Sequence, residues 1–463
     1  MSGRHPGTPR LLRRLNDRAA LELLLANGPL TRGELGEHTG LSKVTSGQLL
    51  ARLEERGLVE VSGWRPGGRG PNAALYAVVP GSAYVAGLEV LPDRVTAGVA
   101  DITGALIAEV AVDPLEAGEP VRTVHSAVRR ACEAAGVSLS RLRALVIGTR
   151  GVVDPRTGDV RFSFDLPSWH AGVLADLRAT LGSSVWIEND VNLAALAEHA
   201  YGAARGTGDF ALVWAGVGQG LGVMLGGRLH RGFTGGAGEI GWLPVPGEPL
   251  PIDVAEPQSG SFQRLVGTAA LTRLAAVHHL PTPATSQAPV RVTSSDPDPV
   301  CPARSGPASA PPSSASSGQG SAPVAGAASP APPRGRVPET GASRPASGTP
   351  AGHPSAGAEL VRTAVEAGAD GFLDEVARRL AIGVAAITVV LDPGLIVLSG
   401  DVGRAGGRAL AWRVEEAVAR VCPSRPAVAV TEVEGNAVLR GALTAALDQA
   451  REEVFSNTVD APG

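Results

Sequence analysis

The first regular pattern along the chain sets Leu11, Leu12, Leu15, Ala19, Leu21, Leu24 and Leu25 at helical spacing. It runs up to a break at Asn27–Gly28–Pro29. Thr31 followed by Glu34 has the form of a capping box and opens a short second helix that ends near Gly40. Ser42 is placed to cap a third helix, SKVTSGQLLARLEERG, which stops at Gly57. VEVSGW and ALYAVV then read as two strands around the loop RPGGRGPNA. Three helices and a hairpin within about 80 residues form the plan of a winged helix-turn-helix, so residues 1–80 are expected to be one module.

From residue 81 the pattern changes. YVAGLEVLPDRVTAGVADITGALIAEVAV predicts an antiparallel meander and HSAVRRACEAAG a helix. RALVIGTRGVVD and VWIENDVN each run an apolar strand into a polar tip. Strands alternating with helices predict an α/β body. Residues 281–358 carry no periodicity and consist mostly of Pro, Ala, Ser, Gly and Thr. Such a segment cannot bury enough apolar surface to offset its ordering, so it is expected to be a disordered insertion in a surface loop. Folded-type sequence resumes at Glu359 with two helices and a buried strand, giving body segments 81–280 and 359–452 and a tail 453–463.

Charge sharpens the division. Residues 1–80 hold 11 Arg and Lys against 7 Asp and Glu, leaving 30 against 38 for the remainder. A basic head on an acidic body suits a nucleic-acid-binding module joined to a larger domain. No apolar run approaches the ~18–20 residues that span a bilayer, and the basic N-terminus is followed by no apolar signal region. The three cysteines, Cys132, Cys301 and Cys422, are too few and too scattered for a disulfide framework. A cytoplasmic protein with no membrane partner is expected.

At 100° per residue the third helix gathers Leu49, Leu50 and Leu53 on one side, with Ser46 among them. Val44 and Gln48 point the other way, and Lys43, Thr45, Gly47 and Arg52 flank them. In a major groove Val44, Thr45 and Gln48 would meet base edges, Gln suiting adenine and the Val methyls a thymine methyl. Lys43 and Arg52 are expected on phosphates, and Arg65 and Arg69 of the Gly-rich loop suit a wing touching the backbone or minor groove. A protein-interaction module with a solvated basic loop is the competing reading.

Five segments of the body, in order, resemble the ROK family of sugar kinases and sugar-responsive repressors. They are GTRGVVDPRTG (148–158), FDLPSW (164–169), IENDVNLAALAEHAYG (187–202), GVGQGLGVMLGGRLHRGFTGGAGEIGW (216–242) and LDPGLIVLSGDVG (391–403). The resemblance implies an actin-like, ribonuclease H-like body of two lobes with a sugar held between them. The winged helix resembles the module that the family's repressors carry. Asn189 and Asp190 sit at a strand end, where a ligand crevice is expected. Asp190 matches the kinases' general base, and a helix N-cap is its structural alternative. Glu239 matches a sugar-contacting glutamate, Asp165 stands where an asparagine is common, and Gln263 aligns with a second sugar-contacting glutamate.

Where kinases of the family open with a Gly-rich phosphate loop, this chain has LEVLPDRV (88–95), with no glycine and with Glu89 at the aspartate. Val217 takes the place of a threonine in the second phosphate loop. Trp242, Val254, Glu256 and Ser261 align with the family's zinc-binding His and Cys residues, and form no adequate ligand set. The expectation is a non-enzymatic repressor of carbohydrate-related genes, with no catalytic residue, cofactor or metal. Its partners are a double-stranded DNA operator and a sugar or sugar-derivative effector, and it forms a homodimer or higher oligomer. A sugar kinase, or a regulator whose body is only a dimerisation scaffold, are the alternatives.

Overall fold

The computed structural model describes residues 9–66, 72–114, 118–163, 166, 168–169, 172–181, 184–250, 260–281 and 354–456. The predicted insertion therefore lies outside the described residues except at its edges, as do Arg69, Asp165, Val254, Glu256 and Cys301.

Helix α1 (Pro9–Asn27), strand β1 (Leu30–Thr31), helices α2 (Arg32–Thr39) and α3 (Lys43–Glu55), and strands β2 (Val59–Arg65) and β3 (Ala73–Val78) make the first module. Its local signals act as predicted. Thr31 and Glu34 form the reciprocal capping box, and Ser42 accepts the Thr45 amide at the start of α3. Ser46, Leu49, Leu50 and Leu53 are the buried face of α3. In α1 the apolar pattern divides: Leu21 and Leu24 are buried, whereas Leu11, Leu12 and Leu15 stand about half exposed.

The body begins with β4 (Tyr84–Val90), β5 (Val95–Asp101) and β6 (Leu106–Val112), followed by α4 (Pro120–Ala135) and β7 (Leu142–Thr149). A small hairpin, β8 (Val152–Val153) and β9 (Val160–Phe162), leads to α5 (Val173–Leu181), β10 (Ser184–Asn189) and α6 (Asp190–Tyr201). The meander and the two parallel strands join in one sheet of order β10-β7-β4-β5-β6. A second sheet contains β11 (Phe210–Ala215), β12 (Gln219–Leu225) and β13 (Arg228–Leu229). Then come α7 (Phe262–Val266), α8 (Thr268–Val277), α9 (Ala356–Ala367), α10 (Asp370–Leu391), β14 (Leu395–Ser399), α11 (Gly400–Ala419), β15 (Ala427–Val430) and α12 (Ala437–Ser456). The second sheet runs β13-β12-β11-β14-β15.

Two boundaries differ from the sequence reading. Ser355 caps α9, which starts at Ala356, so the last residues assigned to the insertion are helical. The Ser355 amide also donates to Asp401 at 3.0 Å, fixing the returning chain beside β14. At the C-terminus α12 continues past 452 because Phe455 is buried in its core.

Chain order hides the most consequential packing. Although last in sequence, α12 lies on the first sheet and against α6, and its apolar face shares one core with α1 and α3 of the winged helix. A methyl group added at Gly441 would come within 1.8 Å of the Leu193 carbonyl, so α12 and α6 meet at backbone distance. Gly441→Val should therefore cost at least about 3 kcal/mol, read by urea denaturation. A variant as stable as the parent would show that α12 is not seated so closely.

Candidate functional site

The exposed part of α3 is the candidate DNA surface. Lys43, Val44, Thr45 and Gln48 are all exposed, with Val44 at 70%. The two arginines differ from expectation. Arg52 Nη2 binds Asp17 Oδ1 at 2.6 Å, and Asp17 is fully buried in α1. This guanidinium is a brace between α1 and α3 rather than a free phosphate contact. Arg65 closes strand β2 instead of standing in the loop, and it pairs with Glu34 of the capping box. The Thr31 amide, Arg65 and the Thr31 hydroxyl together lower the Glu34 carboxyl to about 2.

In the body, carboxylates from both sheets converge near the start of α6. Glu89 comes from the end of β4, Asp190 from the first position of α6, and Glu239 from the turn after β13. Asn189, not Asp190, caps α6: its side-chain oxygen accepts the Asn192 amide at 3.0 Å. Its amide nitrogen donates to the Gly151 carbonyl at 3.0 Å and holds the loop after β7. With both ends engaged, Asn189 is a scaffold residue that leaves Asp190 to face the site.

Burial pushes the Asp190 carboxyl up to about 7, against the opposing pull of Arg150 and the Val191 amide; Glu89 and Glu239 add to the rise. Arg150 Nε lies 4.0 Å from Asp190 Oδ2. Burial also raises Glu239 and Glu89, and for Glu89 a hydrogen bond from Asn436 and the charges of Arg94 and Arg150 work the other way. A group of half-dry carboxylates beside the Arg150 guanidinium can accept several hydroxyl donors from a polyol.

Gln263 departs from its predicted role. Its Oε1 accepts the Gln219 amide at 3.0 Å and its Nε2 donates to the Val217 carbonyl at 2.7 Å. Both amide groups thus clamp the 217–219 backbone, so Gln263 is a strut and not an open sugar contact. Trp242 packs edge-on against Phe162 with centroids 6.0 Å apart, joining the turn after Glu239 to the β8–β9 hairpin. Sequence reasoning missed Arg150, although GTRG places it directly after a strand. It also missed Asn436, whose Gly-Asn pair before an apolar helix is an N-cap signal.

The β4–β5 connection stands where the sequence comparison placed the phosphate loop of the kinases. Leu91 N–H donates to the Arg94 carbonyl at 2.9 Å, closing a tight turn over Pro92 and Asp93. The turn contains no glycine, the residue that lets backbone close around a phosphate.

A winged-helix module sharing a core with a two-sheet body of sugar-kinase type defines the class. Residues 85–267 match the ROK family profile and residues 15–70 the MarR family profile. The chain carries a ROK-family domain behind a MarR-type winged helix. It is 26% identical over 247 residues to the DNA-binding transcriptional dual regulator NagC of Escherichia coli K12, covering 53% of this chain and 60% of that protein. The chain thus spans about three fifths of this curated relative. A crystal structure of a ROK family transcriptional regulator, a homologue of the E. coli MLC protein, superposes with a TM-score of 0.64 at 14% identity, covering 96% of this chain and 99% of the other. A ROK hexokinase from Thermus thermophilus superposes with a TM-score of 0.52 at 25% identity, covering 78% and 97%. Among the described residues no helix is long and apolar enough to cross a membrane.

Proposed function

We propose that this protein is a DNA-binding transcriptional regulator, a repressor of carbohydrate-related genes, whose kinase-like body binds a sugar or sugar derivative without phosphorylating it. The carrying observation is the joint core of winged helix and body, from which α3 keeps Lys43, Val44, Thr45 and Gln48 in solvent. The likeness to NagC supports the DNA-binding half. For the sensor half, Asp190, Glu239 and Glu89 offer acceptors to sugar hydroxyls beside Arg150, and the glycine-free β4–β5 turn supports a body that does not use ATP. The protein works in the cytoplasm as a homodimer or higher oligomer, each winged helix reading half of an operator.

A thermal-shift panel of glucose, xylose, glucosamine, N-acetylglucosamine, glucose 6-phosphate and ATP–Mg²⁺, with gel retardation of the DNA upstream of its own gene, tests this. A shift with one sugar and none with ATP, plus a retarded band at about 50 mM salt, is the expected result. Absence of any band at that salt would sink the DNA-binding half. One observation favours a kinase as the second reading: a carboxyl held near 7 suits a general base at neutral pH. ATP consumption with a sugar, abolished in Asp190→Asn, would establish it.

A further inference from the structure

Asn436 sits at the junction of two functions. Its Oδ1 accepts the Leu439 amide at 2.9 Å, which caps α12. Its Nδ2 donates to Glu89 Oε2 at 2.6 Å. A single side-chain amide thus begins the helix that carries the winged module and holds a carboxylate of the candidate sugar site. We infer that Asn436 is the positioning residue that ties occupancy of this site to the pose of the winged helix, through α12. The inference rests on reading the body as a sugar sensor.

The path is continuous. At its start, α12 is seated at backbone distance on two elements that end at the site. A methyl at Gly441 would strike the Leu193 carbonyl of α6, and one at Gly87 of β4 would come within 2.9 Å of the Leu443 amide nitrogen. At 20 residues α12 is about 30 Å long, enough to cross the first sheet. Along it Leu447, Ala450 and Phe455 lie in one core with Leu21, Leu24, Leu50 and Leu53. Arg451 donates to the Ile102 carbonyl at 2.9 and 3.1 Å, and Glu452 pairs with Arg18 of α1. The residue before Arg18 is Asp17, which braces Arg52 on the DNA-facing helix.

A sugar hydroxyl that donates to Glu89 Oε2 would share that oxygen with Asn436 and weaken the bond between them. The ligand-bound and DNA-binding states then differ at this bond, and a ligand shifts an equilibrium only through such a difference. A weaker bond lets the cap end of α12 shift on β4 and α6, which still seat it through Gly87 and Gly441, and the winged helix follows at the far end.

Asn436→Ser and Asn436→Asp separate coupling from folding. Both keep a good N-cap acceptor. Serine is too short to reach Glu89, and aspartate replaces the donor with a like charge. For the full chain and each variant, anisotropy would give the affinity for the DNA upstream of its own gene, with and without glucose, xylose or N-acetylglucosamine. Calorimetry would give the sugar affinity alone. The parent should show a sugar-dependent change in DNA affinity of about 5- to 150-fold. In both variants that factor should fall towards one while sugar and DNA still bind separately. A purely structural role would instead lower the melting temperature and leave the factor intact. Variants that keep the parent's factor overturn this inference alone. A parent that binds none of the sugars overturns the sensor reading and this inference with it.

Discussion

Asp190→Asn should make the protein more stable at pH 8 and change it little near pH 3. The carboxyl titrates at about 7 in the fold against 3.8 when free, with burial as the leading cause. Between those values the folded protein retains a proton that the unfolded chain has released. Stability from this group therefore falls as pH rises from about 4 to about 7, and the penalty is complete above that. At 1.36 kcal/mol per pH unit the full penalty is roughly 4 kcal/mol, which the uncharged asparagine removes. Melting curves of both proteins across pH 3–9 would read it. A difference that stays constant with pH would show that Asp190 is not a buried acid. If Asp190 receives a sugar hydroxyl as proposed, the same variant should weaken the sugar response. Stability and binding would then move in opposite directions, the pattern of a group retained for function.

The second large effect is on DNA. Val44→Asp should lower operator affinity by about 10- to 100-fold, through loss of a thymine-methyl contact and repulsion by phosphates. Its stability should stay within about 0.5 kcal/mol of the parent, because Val44 is 70% exposed and aspartate suits the first turn of a helix. Arg52→Ala should behave in the opposite way. It removes a partner of buried Asp17 and costs roughly 2 kcal/mol, discounted because the Arg52 side chain is itself 36% exposed. Salt titrations of binding distinguish the two. Equal loss of affinity from both variants at full stability would place Arg52 back on the DNA.

Local signals carried far in this chain. The Thr31–Glu34 box, the Ser42 cap, the apolar face Leu49–Leu50–Leu53 and the Tyr84–Val112 meander depend on residues a few positions apart, so their chemistry could be read in order. Even the exposed residues Lys43, Val44, Thr45 and Gln48 of α3 follow from helical period, since a buried side predicts its opposite.

What failed to appear in the sequence was which polar group had a partner elsewhere. Asp17 and Arg52 are 35 residues apart, Gln263 reaches back 44 to Gln219, and Asn436 reaches back 347 to Glu89. Nothing local marks such pairs, so Arg52 read as a phosphate contact and Gln263 as a sugar contact. Asn189 and Asp190 both suit a helix cap by residue type. Only the backbone entering α6 assigned the cap to the first and left the second buried with its raised carboxyl. Periodicity and capping set the elements because they act along the chain. Charge pairing, burial and the seat of α12 against the winged helix act across it, and so were decided by the tertiary fold.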